Sequence, residues 1–159
     1  MSSAPLAMNA FRANVGIVLI DGSGRVLALE RSDASGAWQM PQGGLLEGEE
    51  PRTAAERELF EETGIGADKI LFIAEHPAWL AYELPLKYRC GKTGRGQAQK
   101  WFLFRFLGGE GDIDLRAGGK AEFSAWKWIP LRELARETVA FRRWIYGQLA
   151  EEFHPHLAQ

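Results

Sequence analysis

The chain has 159 residues, of which 46% are hydrophobic and 25% are charged, and its formal net charge at pH 7 is −2. This size and balance are typical of one globular domain with a single sizeable core. They exclude a global electrostatic attraction to nucleic acid or membrane, so any affinity for a polyanion must be local.

The termini and the cysteine content indicate where the protein works. No run is long enough to span a membrane, and the N-terminus lacks the basic and long apolar parts of a signal peptide. A single cysteine, Cys90, excludes an internal disulfide. We therefore expect a cytoplasmic protein that binds no membrane and is a monomer or weak oligomer. Residues 1–10 are expected to be disordered, which leaves residues 11–159 as one domain.

The first elements are strands that lead into a glycine-rich loop. Apolar stretches predict strands over Asn14–Ile20 and Val26–Glu30, joined by a tight turn at residues 21–24. A short strand, Trp38–Met40, then delivers the chain to Gln42-Gly43-Gly44. These glycines would let the backbone take positive φ angles and approach a ligand closely.

A helix with an unusual charge pattern follows this loop. Pro51 suits the first helical position and Gly64 the position just past the end, which predicts a helix to about Thr63. The spacing of three and four residues places three carboxylates on one face: Glu58, Glu61 and Glu62. Like charges at this spacing cost a helix about 0.2–0.5 kcal/mol per pair. A solvated helix more often alternates Glu with Lys.

These carboxylates favour a metal site over a solvated charged face. Ala54 and Ala55 precede them by one turn and would leave space above them, while Leu59 and Phe60 point away and can be buried. Clustered carboxylates beside small residues suit a hard cation such as Mg²⁺, for which Mn²⁺ or another divalent cation could substitute. The histidines are scattered, and no organic cofactor is required for such chemistry.

The remaining elements predict an α+β fold in which helices pack on a mixed sheet. In chain order they are strands at Ile70–Glu75 and Leu80–Glu83, a long loop at Pro85–Lys100, a strand at Trp101–Leu107, a short strand at Asp112–Leu115, a strand at Ala125–Ile129, one or two helical turns at Leu131–Arg136, and an amphipathic helix carrying Phe141, Trp144, Ile145, Leu149 and Phe153. In the strand that begins at Trp101, Phe102, Phe104 and Phe106 share one face and are expected in the core.

Basic residues without acidic neighbours run from Leu84 to Gly109. They are Lys87, Arg89, Lys92, Arg95, Lys100 and Arg105, with Tyr88 among them. A solvated loop is the ordinary interpretation of such a run. In an acidic chain, however, the run favours a surface that receives phosphates, with Lys87 and Tyr88 as substrate contacts.

The stretch from the glycine loop through the helix resembles the Nudix box. That pattern is Gly, five residues, Glu, seven residues, Arg-Glu-aliphatic, one residue, Glu-Glu, one residue, Gly-aliphatic. Every fixed position is filled, by Gly43, Glu49, Arg57, Glu58, Leu59, Glu61, Glu62, Gly64 and Ile65. With average residue usage, a chance match is on the order of 10⁻⁹ per starting position.

The resemblance continues from about Arg12 to Phe153. FRANVGIVLI, WQMPQGG, YELP, GQAQKWFLFRF, AEFSAWKW and VAFRR are similar to the branch that contains bacterial RNA pyrophosphohydrolases and diadenosine tetraphosphate hydrolases. It implies a Nudix fold and Mg²⁺-dependent hydrolysis of phosphoanhydride bonds. The implied substrates are 5′-triphosphorylated RNA, from which pyrophosphate is removed, and dinucleoside polyphosphates.

The resemblance also implies roles for individual residues. It implies that four carboxylates bind the metal or position the attacking water: Glu58, Glu61, Glu62 and Glu122. Gly43 would lie beside the metal. Arg57 of the box is expected to pair with Glu49. Substrate contacts are expected from Arg12, Arg31, Gln42, Gly43, Gly44, Gln99, Lys100 and Phe141, where Arg31 and Phe141 would hold a base. Ala13 stands where the family usually has proline, which leaves Arg12 less rigidly presented.

Two alternatives stay open beside RNA end processing. One is a dedicated hydrolase of dinucleoside polyphosphates or nucleotide sugars. The other is a Nudix module that senses a nucleotide without cleaving it, although a sensor has no need for every catalytic carboxylate.

Overall fold

A computed structural model describes residues 9–119 and 121–158, so the disorder expected for residues 1–10 concerns a segment mostly outside the described residues. The strands are β1 (Phe11–Ile20), β2 (Val26–Arg31), β3 (Trp38–Gln39), β4 (Gln42–Gly44), β5 (Ile70–Glu75), β6 (Leu80–Glu83), β7 (Gly96–Phe106) and β8 (Phe123–Ile129). The helices are α1 (Pro51–Thr63), α2 (Leu131–Glu137) and α3 (Arg143–Glu152), and none in the described residues is long and apolar enough to cross a bilayer.

All eight strands join one mixed sheet that is centred on β1 and β7. The central order is β3-β2-β1-β7-β5, with β4 paired to β1, β6 to β7 and β8 to β2. The pair of β1 and β7 is parallel and runs from Phe11 opposite Gly96 to Ile20 opposite Arg105. The other pairings are antiparallel. Polar ends of β1 and β7 therefore lie side by side next to β4.

Side chains alternate across the sheet and build a core on each face. On one face, Val18, Trp101 and Leu103 pack with residues of α2 and α3. On the other face, Ile17, Phe102 and Phe104 pack with residues of α1. The predicted α+β architecture, a mixed sheet between helices, is confirmed.

The boundaries of α1 follow from its sequence. Pro51 is at its N-terminus, and Gly64 takes the left-handed conformation at its C-terminus, with φ 73°. The Gly64 N–H donates to the Phe60 carbonyl at 2.8 Å. Ala54, Ala55 and Leu59 are fully buried against the sheet, so the alanines serve close helix–sheet packing and do not leave open space above the carboxylates.

Several predictions of local structure were wrong. Phe60 is 50% exposed, because it lies about 100° around α1 from the buried Leu59. Gln42–Gly44 is a strand paired with β1 rather than a loop, and neither glycine has a positive φ. The strand after the basic run begins at Gly96 rather than Trp101, because its polar first half pairs with both β1 and β6.

Two further differences concern the second half of the chain. The stretch Asp112–Leu115 is irregular and follows a 3-10 turn at Glu110–Asp112, because its backbone pairs with no strand. The last helix starts at Arg143, after a 3-10 turn at Ala140–Arg142 that holds Phe141. Trp144 is 49% exposed rather than buried.

Candidate active site

Four glutamates line one cavity beside α1. Three of them, Glu58, Glu61 and Glu62, come from α1, and Glu122 comes from the end of the segment that joins β7 to β8. The cavity has a volume of about 390 Å³, and its other lining residues are Leu115, Gly118 and Phe123. The structure thus brings together the four carboxylates that the sequence analysis selected.

Glu62 is a buried carboxylate that has no cationic partner in residues 9–119 and 121–158. It is 7% exposed, and its Oε2 has no hydrogen-bond partner among the described residues. Burial, followed by the charges of Glu58 and Glu122, raises the pKa of Glu62 well above its usual value, although the Gln42 N–H donates to it. A buried polar atom is costly when it lacks a partner, and a cation in the cavity could supply one for this oxygen.

Glu58 is partly buried, which disfavours the charged form of its carboxyl group. Burial raises its pKa even though Arg57 Nη1 donates to Glu58 Oε1 at 2.9 Å. Its carboxyl group lies directly against the backbone of β4, where a Cβ atom on Gly43 would overlap it. Glycine at residue 43 is therefore needed for the present position of the Glu58 carboxyl group and not for the backbone conformation.

Arg57 ties β4 and the preceding turn to α1. Its guanidinium donates to both oxygens of Glu49, each at 2.9 Å, and to the Gly44 carbonyl at 2.9 Å. The hydrogen bonds to Glu49 raise the pKa of Arg57, and the same bonds lower the pKa of Glu49. The predicted pairing of Arg57 with Glu49 is present, and it holds the glycine strand against the helix.

Arg57 also neutralises part of the carboxylate cluster. Besides Glu58, its Nη1 lies 3.3 Å from both oxygens of Glu61. Among residues 9–119 and 121–158, no three acidic, histidine or cysteine side chains converge closely enough to enclose an ion as they stand. The donor set is nevertheless of the type that hard cations prefer, and the unpaired Glu62 oxygen fits a cation.

Arg12 and Arg31 lie on the strands beside this cluster. The Arg12 guanidinium packs against Gly44, where a side chain would overlap it. Arg31 donates to both oxygens of Asp33 at 2.8 and 3.0 Å, and this bond, together with the charges of Asp33, Glu122 and Glu62, raises its pKa. Arg31 is thus within the electrostatic field of the carboxylates, with Asp33 as its present partner.

Gln42 and Gln99 belong to a buried polar network. Gln99 is 1% exposed, and its Nε2 donates to Asn14 Oδ1 at 2.8 Å and to Gln42 Oε1 at 3.2 Å. Its Oε1 accepts from Trp101 Nε1 at 3.2 Å. A direct contact of the Gln99 side chain with substrate would require these bonds to break. In the present arrangement the network ties the Gln42 side chain of β4 to β1 and β7.

Lys100 is held at the end of β5. Its Nζ donates to the His76 carbonyl at 2.6 Å and lies 3.5 Å from Glu75 Oε2. Its charge is therefore already compensated in part, which weakens the case for a role at the phosphates.

Two arginines of the basic run form ion pairs that its sequence does not suggest. Glu83, which immediately precedes the run, bonds to both Arg89 and Arg95. Lys87 packs over the ring of Tyr88 at 5.0 Å, and both of these side chains are exposed. We name residues 85–95 the basic loop. Its two lysines, Lys87 and Lys92, are exposed to solvent, whereas Arg89 and Arg95 pair with Glu83.

Phe141 is held by an aromatic partner. Its ring stacks on Tyr82 with centroids 5.4 Å apart and planes at 25°. The Tyr82 hydroxyl donates to Gln97 Oε1 at 2.7 Å. The half-buried Phe141 ring is therefore fixed in orientation, as a platform for a base would need to be.

Sequence reasoning did not select three residues of the cavity wall: Leu115, Gly118 and Phe123. Leu115 had been placed in a strand, and Phe123 reads as an ordinary core residue. The adjacent glycines Gly118 and Gly119, shortly before Glu122, were the available signal for a close backbone approach.

Sequence comparison identifies the family of this chain and several similar proteins. Residues 10–148 match the NUDIX domain family. An RNA pyrophosphohydrolase of Cereibacter sphaeroides is 47% identical over 152 residues, 93% of each chain. The RNA pyrophosphohydrolase of Roseobacter denitrificans is 43% identical over 162 residues, 99% of this chain and 100% of its own.

Solved structures share the fold at lower identity. A Caenorhabditis elegans Ap4A hydrolase in a binary complex superposes with a TM-score of 0.68 at 22% identity, covering 91% of this chain and 98% of that one. Escherichia coli dihydroneopterin triphosphate pyrophosphohydrolase gives a TM-score of 0.71 at 23% identity, covering 91% and 99%.

Proposed function

The chain belongs to the Nudix hydrolase family, and from that premise we propose that it removes pyrophosphate from the 5′-triphosphate end of RNA with Mg²⁺ as its cation. The observation that carries this proposal is the cavity lined by four glutamates, one of which has a buried oxygen that no other described residue satisfies. A site for nucleotide sensing would not need this full set of carboxylates.

The RNA substrate is inferred from the relatives. Proteins named RNA pyrophosphohydrolase are 43–47% identical to this chain over nearly the full length of both proteins. Such similarity extends through β1, β4 and β7, which carry expected substrate contacts, and is not confined to α1.

Members of this family generally require divalent cations, and the residues of this chain suit one. Glu58, Glu61, Glu62 and Glu122 would hold it, with the Gly43 backbone close by. When bound, the cation supplies Lewis-acid chemistry by neutralising charge that develops on phosphate oxygens. Arg57 would release Glu58 and Glu61 in part while keeping its two bonds to Glu49, so that β4 stays in place.

The substrate would approach over β1 and β4. Arg12 has no carboxylate partner among the described residues and is free to contact a phosphate. Arg31 would exchange Asp33 for the phosphate or base. Phe141, which stacks on Tyr82 and lies 5.1 Å from the Arg142 guanidinium, would contribute its ring to the binding of a base. Gln42 and Gly44 would bound the polyphosphate, with Gln99 behind them. Lys100 would act only after leaving Glu75.

A second substrate class uses the same chemistry. A dinucleoside polyphosphate offers phosphoanhydride bonds together with a base, and the stacked pair of Tyr82 and Phe141 suits a base without reading RNA sequence. We therefore propose hydrolysis of dinucleoside polyphosphates as an additional activity.

The test compares products and metal dependence. Purified protein is incubated with 5′-triphosphorylated RNA and, separately, with diadenosine tetraphosphate, in chelator and after addition of Mg²⁺ or Mn²⁺. Pyrophosphate release from RNA that vanishes in chelator and returns with the cation is expected. Glu61→Gln and Glu62→Gln should lower kcat by orders of magnitude, whereas Glu47→Gln, an exposed glutamate outside the cavity, should not.

Other outcomes would redirect the assignment. Full turnover in chelator would contradict the metal site. Turnover of diadenosine tetraphosphate or a nucleotide sugar without any turnover of RNA would favour the dedicated hydrolase. Tight nucleotide binding without turnover of any substrate would favour a sensing module.

A further inference from the structure

The segment that joins β7 to β8 caps the end of α1. An α-helix leaves its last four carbonyls without partners inside the helix. Here the Asp114 N–H donates to the Thr63 carbonyl at 2.7 Å, from a segment fifty residues further along the chain. We name residues 107–122 the β7–β8 loop, in which Lys120 is outside the described residues.

Gly118 makes the closest approach of this loop to α1. It lies over the backbone of Glu61, so that a Cβ atom on residue 118 would overlap the Glu61 carbonyl oxygen. Gly118 does not have a positive φ, so its backbone conformation alone would admit any residue. What requires glycine at this position is the contact with α1, and a helix carbonyl cannot move aside as a flexible side chain can.

The other end of the loop is fixed to β2. The Ser32 N–H donates to the Glu122 carbonyl at 3.0 Å, and the Ser32 hydroxyl donates to the Ala121 carbonyl at 2.7 Å. The loop therefore has two attachment points close together in sequence, one where Gly118 meets Glu61 and one where Ala121 and Glu122 bond to Ser32. Gly118 and Glu122 both line the cavity that holds the α1 glutamates.

We propose that Gly118 is a positioning residue, which through its contact with the Glu61 backbone sets the spacing between Glu122 and the carboxylates of α1. This inference rests on the proposed function in that the cavity must be the place where cation and phosphate bind. A methyl group added at residue 118 would push the loop and the Glu61 backbone apart, while Ser32 still holds the Ala121 and Glu122 carbonyls. The distance between Glu122 and the carboxylates of α1 would change as a result.

The test uses a matched pair of substitutions in one loop. Gly118→Ala inserts a methyl group against α1, whereas Gly111→Ala inserts the same group where nothing lies within 4 Å and where φ is not positive. Gly118→Ala should lower kcat about 10- to 100-fold, the range seen when residues behind metal ligands are changed. The KM for RNA should change little, because substrate contacts on β1 and β4 are untouched. Gly111→Ala should match the unmodified protein.

A second readout does not depend on turnover. Mn²⁺ binding in the absence of substrate is measured by the loss of the free-ion signal in electron paramagnetic resonance. The Mn²⁺ affinity should fall about 10-fold or more in Gly118→Ala and should not fall in Gly111→Ala. A merely structural role for Gly118 would lower the melting temperature of the variant while leaving the Mn²⁺ affinity of the folded fraction unchanged, and would overturn the proposal. So would equal kcat and Mn²⁺ affinity in the two variants.

The two proposals fail separately. If the unmodified protein does not cleave RNA, the RNA assignment fails, but the comparison of Gly118→Ala with Gly111→Ala can still be made with diadenosine tetraphosphate and with Mn²⁺. If the unmodified protein cleaves RNA and the two variants behave alike, only the role of Gly118 fails.

Discussion

Gly43 lies so close to the carboxylate of Glu58 that a Cβ atom at residue 43 would overlap its carboxyl carbon and oxygens. The contact joins the middle of β4 to the charged face of α1. The glycine at this strand position, which has no positive φ, therefore allows the Glu58 carboxyl group to lie against β4, and a larger residue would displace that group.

The first prediction follows from that contact. Gly43→Ala should displace Glu58 and lower kcat about 10- to 100-fold, because a group beside the carboxylates has been moved. Gly22→Ala is the control, since nothing lies within 4 Å of a Cβ there and φ is not positive. Steady-state kinetics with one phosphoanhydride substrate measure both. Normal kcat in Gly43→Ala would mean that Glu58 moves freely and does not act from its present position.

The second prediction concerns the stability of the metal-free protein. Burial and the neighbouring Glu58 and Glu122 raise the pKa of Glu62 well above 4.5. Below its usual pKa, Glu62 is protonated in both the folded and unfolded states, so its ionisation adds no penalty to folding. As pH rises, the unfolded state releases the proton first, so the folded state loses stability until the pH passes the raised pKa.

Glu62→Gln should therefore raise the melting temperature of the metal-free protein at pH 7 more than at pH 4, although it removes activity. Thermal unfolding in chelator at several pH values measures this difference. Glu47→Gln, an exposed change of the same kind, should have little effect at either pH. Lower stability of Glu62→Gln at pH 7 would show that Glu62 has a cationic partner in solution.

The third prediction separates Arg57 from an ordinary surface arginine. Arg57→Lys keeps the charge but cannot donate to both oxygens of Glu49 and to the Gly44 carbonyl, so it should lower the free energy of unfolding by about 1–3 kcal/mol. Arg52→Lys on the same helix disrupts a 3.7 Å pair with Glu56, and such exposed pairs contribute about 0–1 kcal/mol. The lysine keeps a positive charge near the Phe72 ring, over which the Arg52 guanidinium packs at 3.8 Å.

Urea unfolding at pH 7 gives both values. Arg57 lowers the pKa of Glu49, so this stabilisation is present at neutral pH and is lost as pH falls through the lowered pKa. Equal losses for Arg57→Lys and Arg52→Lys would contradict a structural role for the contact with β4.

Local sequence signals were sufficient to predict α1 and its charged face. Pro51, Gly64 and the spacing of the glutamates act within one helix, and such signals need no tertiary contact to be interpreted. The side that packs on the sheet was only half predicted: Leu59 is buried, but the adjacent Phe60 faces solvent. A burial assignment for neighbouring helical residues depends on where the sheet lies.

The start of β7 could not be predicted in this way. Gln97, Gln99 and Lys100 have the composition of a loop, yet their backbone pairs with β1 on one side and β6 on the other. The Gln99 amide is satisfied by Asn14 and Gln42, which are 85 and 57 residues away in sequence. Likewise, Arg89 and Arg95 belong to the run that the sequence predicts to contact phosphates, but in the structure both pair with Glu83.

The fourth prediction tests Glu122. If it ligates the cation or positions water, Glu122→Gln should lower kcat more than it raises KM, because the lost interaction belongs to the transition state. Its backbone carbonyl still accepts from Ser32, so the fold should be kept. Kinetics indistinguishable from those of the unmodified protein with RNA would remove Glu122 from the site.

The last prediction distinguishes RNA from dinucleoside polyphosphates through the basic loop. An RNA end carries phosphates downstream of the triphosphate, and Lys87 and Lys92 are the exposed cations of this loop that Glu83 does not pair. Each contact with a single-stranded phosphate contributes about 0.7 to the slope of log affinity against log salt concentration. Losing both lysines should therefore weaken the binding of RNA more than the binding of diadenosine tetraphosphate. It should also reduce the dependence of the KM for RNA on salt concentration.

Lys87→Ala combined with Lys92→Ala is compared with Arg132→Ala combined with Arg136→Ala, which removes the same charge from exposed positions on α2. The control should leave the salt slope unchanged, because α2 packs on the sheet face opposite α1. The Arg95 side chain is left intact in both, since its bond to Glu83 shapes the loop. If the lysine variant loses diadenosine tetraphosphate activity and keeps RNA activity, the basic loop serves the smaller substrate, and the dedicated dinucleoside polyphosphate hydrolase becomes the better assignment.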